Sequence, residues 1–272
     1  MGKFRFNPDA RYRMPVIFGP VVGPRQAPDL GRYDPSTSPY TVTTVRFRTD
    51  PEAIDALLPE RFTLDGEAVV TLEHTVLTNL GWLAGRGYTM LGVKFPVRFD
   101  GRDGAVRGDL LAVLWENLTA PILSGREELG FAKIHCDLPE AQEHGNRRIC
   151  RASWDGFEFL EMTLDDLHDA PVPPSAPRDG ILHYGYRPPL VPGRPHDDGV
   201  QVMLSPTTPA PTVQRNRAGI AGLTIRRASF EQLPTMFHIV NALADLPPHE
   251  MLGGRVWHGT GKTDLSEQRP LF

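Results

Sequence analysis

Prolines and glycines are spread along the whole chain and limit the length of any regular helix. The 272 residues include 27 prolines and 26 glycines; proline breaks helices and glycine weakens them. Between them, short segments suited to strands recur, while long apolar repeats of helical period are rare. The pattern predicts a mostly β (α+β) fold, in which many short strands form a mostly antiparallel sheet with a few short helices.

The local pattern places individual elements. Strands are predicted at 40–48, 68–77, 91–99, 110–116, 147–154, 157–164, 200–204 and 223–229. A short helix is predicted where Thr49, Asp50 and Pro51 supply capping and first-turn residues and Pro59 ends the helix. Two more helices are expected at about 230–243 and near 122–129. Because these helices do not alternate with the strands, a parallel βαβ architecture is disfavoured.

Domain organisation is read from the distribution of proline. We expect a proline-rich N-terminal arm at 1–34 and one domain at 35–272. Residues 170–211 carry eleven prolines and little apolar periodicity, which indicates a surface excursion or an oligomer contact rather than a linker.

Composition excludes several classes of protein. The formal net charge of −4 gives no excess of positive charge for nucleic acid or an anionic membrane. No apolar run approaches the roughly 18–20 residues of a membrane span, and the N-terminal residues lack the apolar region of a secretory signal. A cytoplasmic protein is therefore expected.

The cysteines and histidines indicate neither a disulfide framework nor a metal site. Cys136 and Cys150 are the two cysteines, and we interpret both as reduced and structural. The nine histidines show no metal-binding spacing. No metal is expected.

One lysine stands in an unusual context. The chain has only four lysines, Lys3, Lys94, Lys133 and Lys262, and Lys133 lies among Leu129, Phe131, Ala132 and Ile134. Burying an ammonium among apolar groups favours loss of its proton, and the neutral amine is a nucleophile that condenses with carbonyls. The alternative is a lysine whose ammonium group extends into solvent from a strand edge.

Residues 125–135 read Gly-Arg-Glu-Glu-Leu-Gly-Phe-Ala-Lys-Ile-His. Gly-Arg-Glu followed by aromatic-x-Lys resembles the active-site signature of the acetoacetate decarboxylase family, in which this lysine forms a Schiff base. Segments 46–60, 95–110 and 241–247 resemble other family segments in the same order, and the match runs from about 33 to 261. The resemblance implies an antiparallel β-barrel or cone with peripheral helices, no cofactor, and assembly into homo-oligomers.

Carried over position by position, the resemblance gives candidate site residues. Lys133 takes the Schiff-base role, and Glu73 matches an acidic residue of the family's pocket and is a candidate general acid or base. Ile134, Tyr40 and Met90 stand about where the family's decarboxylases have a second lysine, an arginine and a glutamate.

Other candidates come from the signature segment itself. If 131–135 is extended, Phe131, Lys133 and His135 share one face, which is expected to be the cavity wall, and His135 could carry protons or be held structurally. Arg126 and Glu127 are expected to set the local helix geometry or reach the pocket mouth.

The implied function is a lyase acting on a small 2-oxo or 3-oxo acid through a Schiff base on Lys133. Because pocket charges are replaced, aldolase, dehydratase or hydratase chemistry on pyruvate-like substrates is favoured over acetoacetate decarboxylation. A protein that keeps the fold and binds a small molecule without catalysis is the alternative from another class.

Overall fold

The computed structural model describes residues 3–174, 178–191, 193, 195, 199–206, 211–261 and 265–272. Part of the proline-rich segment 170–211 therefore lies outside the described residues, as does Lys262.

Strands dominate the described part of the chain. They are β1 (Pro39–Arg48), β2 (Phe62–Leu64), β3 (Val69–Leu80), β4 (Arg86–Gly101), β5 (Gly104–Glu116), β6 (Lys133–His135), β7 (Gln142–His144), β8 (Arg147–Trp154), β9 (Phe157–Asp169), β10 (Gly180–Tyr186), β11 (Val200–Pro206), β12 (Thr212–Ile225), β13 (Glu250–Thr260) and β14 (Arg269–Leu271). The α-helices are α1 (Pro51–Asp55), α2 (Thr119–Ser124) and α3 (Phe237–Ala244), and a π-helical turn over Gly125–Leu129 continues α2.

The strands form one large mixed sheet. Its hydrogen-bonded order is β14-β11-β10-β5-β4-β3-β1-β13-β12-β9-β8-β7, with β2 on β4 and β6 on β5. Most pairs are antiparallel, but β10 and β6 both pair with β5 in parallel. The predicted mostly β fold with helices outside it is confirmed, and the path of strands from β14 to β7 is open rather than closed.

Alternation along the strands explains where the core forms. Alternate side chains of a strand lie on the same face of the sheet. In β4 the buried ones are Leu91, Val93, Phe95, Val97 and Phe99. Their cluster extends to other strands through large side chains that are almost fully buried, such as Phe47, Trp115, Phe159 and Leu164. Such burial stabilises the fold by about 25 cal/mol per Å² of apolar surface.

A bulge in β5 changes which side chains reach the other face. The β4–β5 register shifts between Val93 and Lys94, because Val93 pairs with Val113 while Lys94 pairs with Leu111. Ala112 is the extra residue. Leu111 and Leu114, which would face opposite sides of a regular strand, therefore both line the cavity described below.

Several local predictions need correction. The strand predicted at 223–229 is the end of β12, which finishes at Ile225. The helix predicted at 230–243 begins only at Phe237, because Pro234 lacks the N–H that an earlier start would use. Within 170–211, residues 180–186 form β10, an interior strand of the sheet. The strand β13 was also not predicted, since its glycines weaken the strand pattern.

Candidate active site

A cavity of about 140 Å³ lies where β3, β4, β5, β10 and β11 meet α2 and the π-helical turn. Most of its wall is apolar, and it includes Trp82, Met90, Leu111, Leu129 and Ile181. Ionisable side chains also line it, namely Glu73, Tyr88, Lys94, Lys133 and His183. A mostly apolar pocket with a few convergent polar groups is typical of a small-molecule site.

Lys133 is the first residue of β6 and is held beside Leu114 of β5. Its side chain is almost fully buried, with 4% of the residue exposed. The Nζ atom lies 2.8 Å from Oε1 of the fully buried Glu116 and donates a hydrogen bond of 3.0 Å to the Pro121 carbonyl. It also lies 5.2 Å from the centre of the Phe131 ring.

Gly125 makes room for this side chain. A Cβ at position 125 would lie 2.3 Å from Cδ, 2.5 Å from Cε and 2.8 Å from Nζ of Lys133. The backbone of Gly125 is ordinary right-handed helix, so the requirement for glycine here comes from the close approach of the lysine and not from an unusual φ.

Burial lowers the pKa of the Lys133 amine below its usual value of 10.5, and the charge and hydrogen bond of Glu116 offset part of that effect. Removing an ammonium from water penalises its charged form. The site therefore favours the neutral, nucleophilic amine more than water does.

A second ion pair faces the same cavity. Nζ of Lys94, on β4, lies 2.8 Å from Oε2 of Glu73, on the neighbouring strand β3. Both side chains are largely shielded, with exposed fractions of 13% and 27%. Glu73, the candidate acid or base, thus lies on the cavity wall next to a cation.

His183 of β10 forms a third polar group in the wall. Its ring stacks on Phe131 at 3.9 Å between centres, with 9° between the planes, and its Nε2 lies 3.0 Å from Oγ of Ser205. Burial, with the charges of Lys133 and Lys94, lowers the pKa of His183 to about 3. The imidazole is therefore neutral near pH 7.

The structure brings some of the predicted site residues to the cavity and leaves others outside. Lys133, Glu73, Met90 and Phe131 line it. Tyr40 does not line it and packs beside Leu77, Leu80 and Tyr88. Ile134 packs against the main core instead.

The other candidates from the signature segment take part in hydrogen bonds to backbone carbonyls or face solvent, and they do not line the cavity. Nη1 of Arg126 donates a 2.7 Å hydrogen bond to the Lys133 carbonyl, and the Glu127 carbonyl accepts a hydrogen bond from Arg187. His135 is exposed and does not line the cavity, although it lies two residues after Lys133 on the same strand, β6. The cavity therefore extends along β6 only as far as Lys133. The functional roles of these residues stay predictions.

Sequence reasoning did not single out Glu116, Lys94 or His183. The sequence could have indicated Glu116 and Lys94, since each is a charged residue within or next to an apolar strand segment. His183 lay in the proline-rich segment, where no local pattern pointed to a cavity.

The N-terminal arm forms part of the surroundings of the site. Arg13 makes an ion pair with Glu128 of the π-helical turn, and Nη2 of Arg25 donates a 3.0 Å hydrogen bond to the Glu128 carbonyl. Pro24, between them, lines the cavity.

The described residues were also compared with the requirements of a metal site and of a membrane-spanning helix. They contain no group of three or more His, Cys, Asp or Glu side chains placed to hold a metal ion. Among the same residues, no helix is both long enough and apolar enough to cross a membrane.

The strand-rich fold and the buried amine on the cavity wall define a class of protein with a lysine-containing internal site. Comparison with known families shows which family the chain belongs to. The family model described as acetoacetate decarboxylase (ADC) matches residues 13–268. The chain belongs to the acetoacetate decarboxylase family.

A curated relative supports that membership. Acetoacetate decarboxylase 1 of Bradyrhizobium diazoefficiens is 27% identical over 132 residues, which cover 45% of this chain and 50% of that protein. The chain thus matches about half the length of this relative.

Solved structures share the fold at low sequence identity. An acetoacetate decarboxylase-like enzyme from Sphingomonas wittichii RW1 superposes with a TM-score of 0.64 at 15% identity, covering 86% of this chain and 96% of that one. The enduracididine biosynthesis enzyme MppR, complexed with the condensation product of pyruvate and imidazole 4-carboxaldehyde, gives 0.63 at 16% identity and 88% coverage of both chains. An acetoacetate decarboxylase gives 0.63 at 17% identity, covering 87% and 89%.

Proposed function

We propose that the protein is a cofactor-independent lyase that forms a Schiff base between Lys133 and the carbonyl carbon of a small 2-oxo or 3-oxo acid. The observation that carries the proposal is the buried Lys133 amine on the wall of a largely apolar cavity. A cavity of about 150 Å³ in a protein interior holds benzene, so one of about 140 Å³ suits an acid of about six non-hydrogen atoms.

The first step follows from the chemistry of a neutral amine. The Lys133 nitrogen attacks the carbonyl carbon, and the carbonyl oxygen leaves as water when the C=N bond forms. The protonated C=N group is a cation, and Glu116, whose Oε1 lies 2.8 Å from this nitrogen before substrate binds, is placed to stabilise it. The C=N group accepts the electron pair of a bond that breaks at the neighbouring carbon, which lowers the barrier to that cleavage.

For the second step we favour aldol, dehydration or hydration chemistry on a pyruvate-like acid over decarboxylation of acetoacetate. Met90 lines the cavity at a position where the decarboxylases resembled here carry a glutamate. No arginine lines the cavity in the described part of the chain. Loss of carbon dioxide depends on how the carboxylate is oriented and desolvated, and the arginine and glutamate that the decarboxylases resembled here have for this are both replaced.

Trapping tests the Schiff base directly. Incubation with pyruvate or acetoacetate followed by borohydride reduction is expected to add the reduced substrate to the peptide that contains Lys133, as detected by mass spectrometry. No adduct at Lys133 with either acid would contradict the proposal. A carbon dioxide release assay on acetoacetate then separates the reaction classes, and rapid release would favour decarboxylation.

We also propose that the protein works in the cytoplasm as a homo-oligomer. The cysteines Cys136 and Cys150 are both free and buried, which suits a reducing compartment. The N-terminal arm exposes several large apolar side chains, including Met14, Ile17 and Phe18, which would be buried by contact between copies. Light scattering on the purified protein checks the assembly, and a mass equal to one chain of 30.2 kDa would contradict it.

A further inference from the structure

The cavity holds two lysines, and each has one carboxylate partner. Lys133 pairs with Glu116 and Lys94 pairs with Glu73, both at 2.8 Å. Each pair is therefore at most neutral before any ligand enters, and Asp109 adds a carboxyl group within electrostatic range of Lys94. An oxo acid that enters as an anion needs a cation for its carboxylate.

Lys133 cannot serve as that cation, because its nitrogen becomes part of the bond to the substrate. The charge left on the C=N group already faces Glu116. Lys94 is the remaining lysine on the wall, and no arginine lines it among the described residues.

Lys94 has hydrogen-bonding capacity to spare. An ammonium group carries three N–H donors, and within the described parts of the chain Glu73 is its one ion-pair or hydrogen-bond partner. Two donors therefore remain for a ligand, and they sit on a side chain that is only 13% exposed. A charge-assisted bond is stronger at such a shielded position than in water.

The positions of the two lysines suit a ligand that contacts both. Lys94 pairs with Leu111 and Lys133 with Leu114 on opposite edges of β5. Because Ala112 is bulged and Leu114 also pairs with Gly92, the two lysines are offset by two residues, about 7 Å, along the strands and by two strand spacings, about 10 Å, across them. Both lysines contribute to the electrostatic environment of one imidazole, that of His183. The space between the two amines is thus part of one cavity.

We propose that Lys94 is the carboxylate anchor of this cavity and makes the enzyme select oxo acids over neutral carbonyl compounds. The substrate class is a small 2-oxo or 3-oxo acid whose carboxylate accepts hydrogen bonds from Lys94 while its carbonyl reaches Lys133. Its remaining substituent is short and apolar, because most of the rest of the cavity wall is apolar and includes Trp82, Met90 and Leu129. This inference rests on the proposed Schiff base and adds the residue that reads the acid.

The test compares pyruvate with pyruvamide, a neutral molecule of nearly the same shape. The concentration that gives half-maximal borohydride trapping at Lys133 is measured for each, and their ratio is the selectivity for the acid. Lys94→Met is expected to lower that selectivity about 10- to 100-fold, as loss of a charged hydrogen bond does, while trapping with pyruvamide changes little. Lys94→Arg keeps the charge and is expected to retain most of the selectivity.

A double variant removes the main ambiguity. In Lys94→Met, the unpaired Glu73 could repel the acid even if Lys94 never touched it. Lys94→Met combined with Glu73→Gln removes both charges. If Lys94 is the anchor, selectivity stays low in the double variant; if Lys94 only neutralises Glu73, selectivity returns, and the inference is wrong.

The outcomes separate the inference from the proposed function. Adducts that form in the wild type with unchanged selectivity in Lys94→Met would overturn the anchor and leave the Schiff base standing. No adduct with either carbonyl in the wild type would overturn both. Lys3→Met, at an exposed lysine of the N-terminal arm, is the matched control, and Lys94→Gln carries the comparison if Lys94→Met does not fold.

Discussion

Gly125 and Glu116, which both lie against the Lys133 side chain, determine its position. Gly125 leaves the volume that the lysine side chain occupies, and Glu116 supplies the charge beside its nitrogen. A buried carboxylate next to a buried amine raises the amine's pKa against the effect of desolvation. Together the two residues hold the amine in place and limit how far its pKa falls.

Gly125→Ala is expected to slow trapping about 100-fold while the protein stays folded. The added Cβ would lie within 3 Å of three lysine atoms, so the amine must move, and a displacement of about 1 Å at a reacting group costs about 100-fold in rate. Trapping kinetics at Lys133 measure the effect, with circular dichroism as the check on folding. Wild-type kinetics in the folded variant would show that the glycine is not needed for the amine's position.

At the scale of elements, the N-terminal arm and the π-helical turn act together. Glu128 of the turn is shielded and contacts both Arg13 and Arg25 of the arm, and Pro24 lies against the cavity. Because the turn also carries Gly125, these contacts connect the arm to the position of Lys133.

Glu128→Gln is expected to loosen the arm. Removing one partner from a buried ion pair costs about 3–5 kcal/mol, since the other charges stay buried. Hydrogen exchange should therefore speed up in the arm and the turn and stay slow in β3 and β4. Glu127→Gln is the matched control, because Glu127 has no ion pair among the described residues. Equal exchange in the two variants would contradict the link.

At the scale of the whole molecule, two histidines are buried without charge. His183 faces the cavity, and His74 lies on β3 with no hydrogen-bond partner for either ring nitrogen in the described structure. Burial is the main cause that lowers the pKa of His74 to about 4 and that of His183 to about 3. Both histidines bind a proton more readily when the chain unfolds.

Stability is therefore expected to fall as the pH drops. The folded pKa of each histidine lies below the usual 6.5, so their contribution is present above pH 6.5 and is lost as the pH falls toward 4 and then 3. Each adds up to about 1.4 kcal/mol per pH unit to the slope. Urea unfolding of His74→Leu should give a shallower slope between pH 6.5 and 4, whereas the exposed His144→Asn should match the wild type. An unchanged slope in His74→Leu would contradict the assignment.

Part of the fold and of the site could be predicted from the sequence, and part depends on long-range pairing. Strands β1, β8 and β9 and the segment around Lys133 follow from local alternation and from the family resemblance. The partners of Lys133 do not, because Glu116 and His183 reach it through the parallel pairing of β5 with β6 and β10. Such long-range pairing is absent from local patterns. The bulge at Ala112, which turns Leu111 toward the cavity, belongs to the antiparallel β4–β5 register and is likewise not visible in the pattern of one strand.

The central claim is that Lys133 loses its proton more easily than an ordinary lysine. With only four lysines in the chain, protein labelled with carbon-13 at lysine Cε gives few signals in a pH titration by NMR, and Lys133→Met assigns the signal of interest. The account predicts a midpoint for Lys133 below the usual 10.5. A midpoint at or above 10.5 would contradict it.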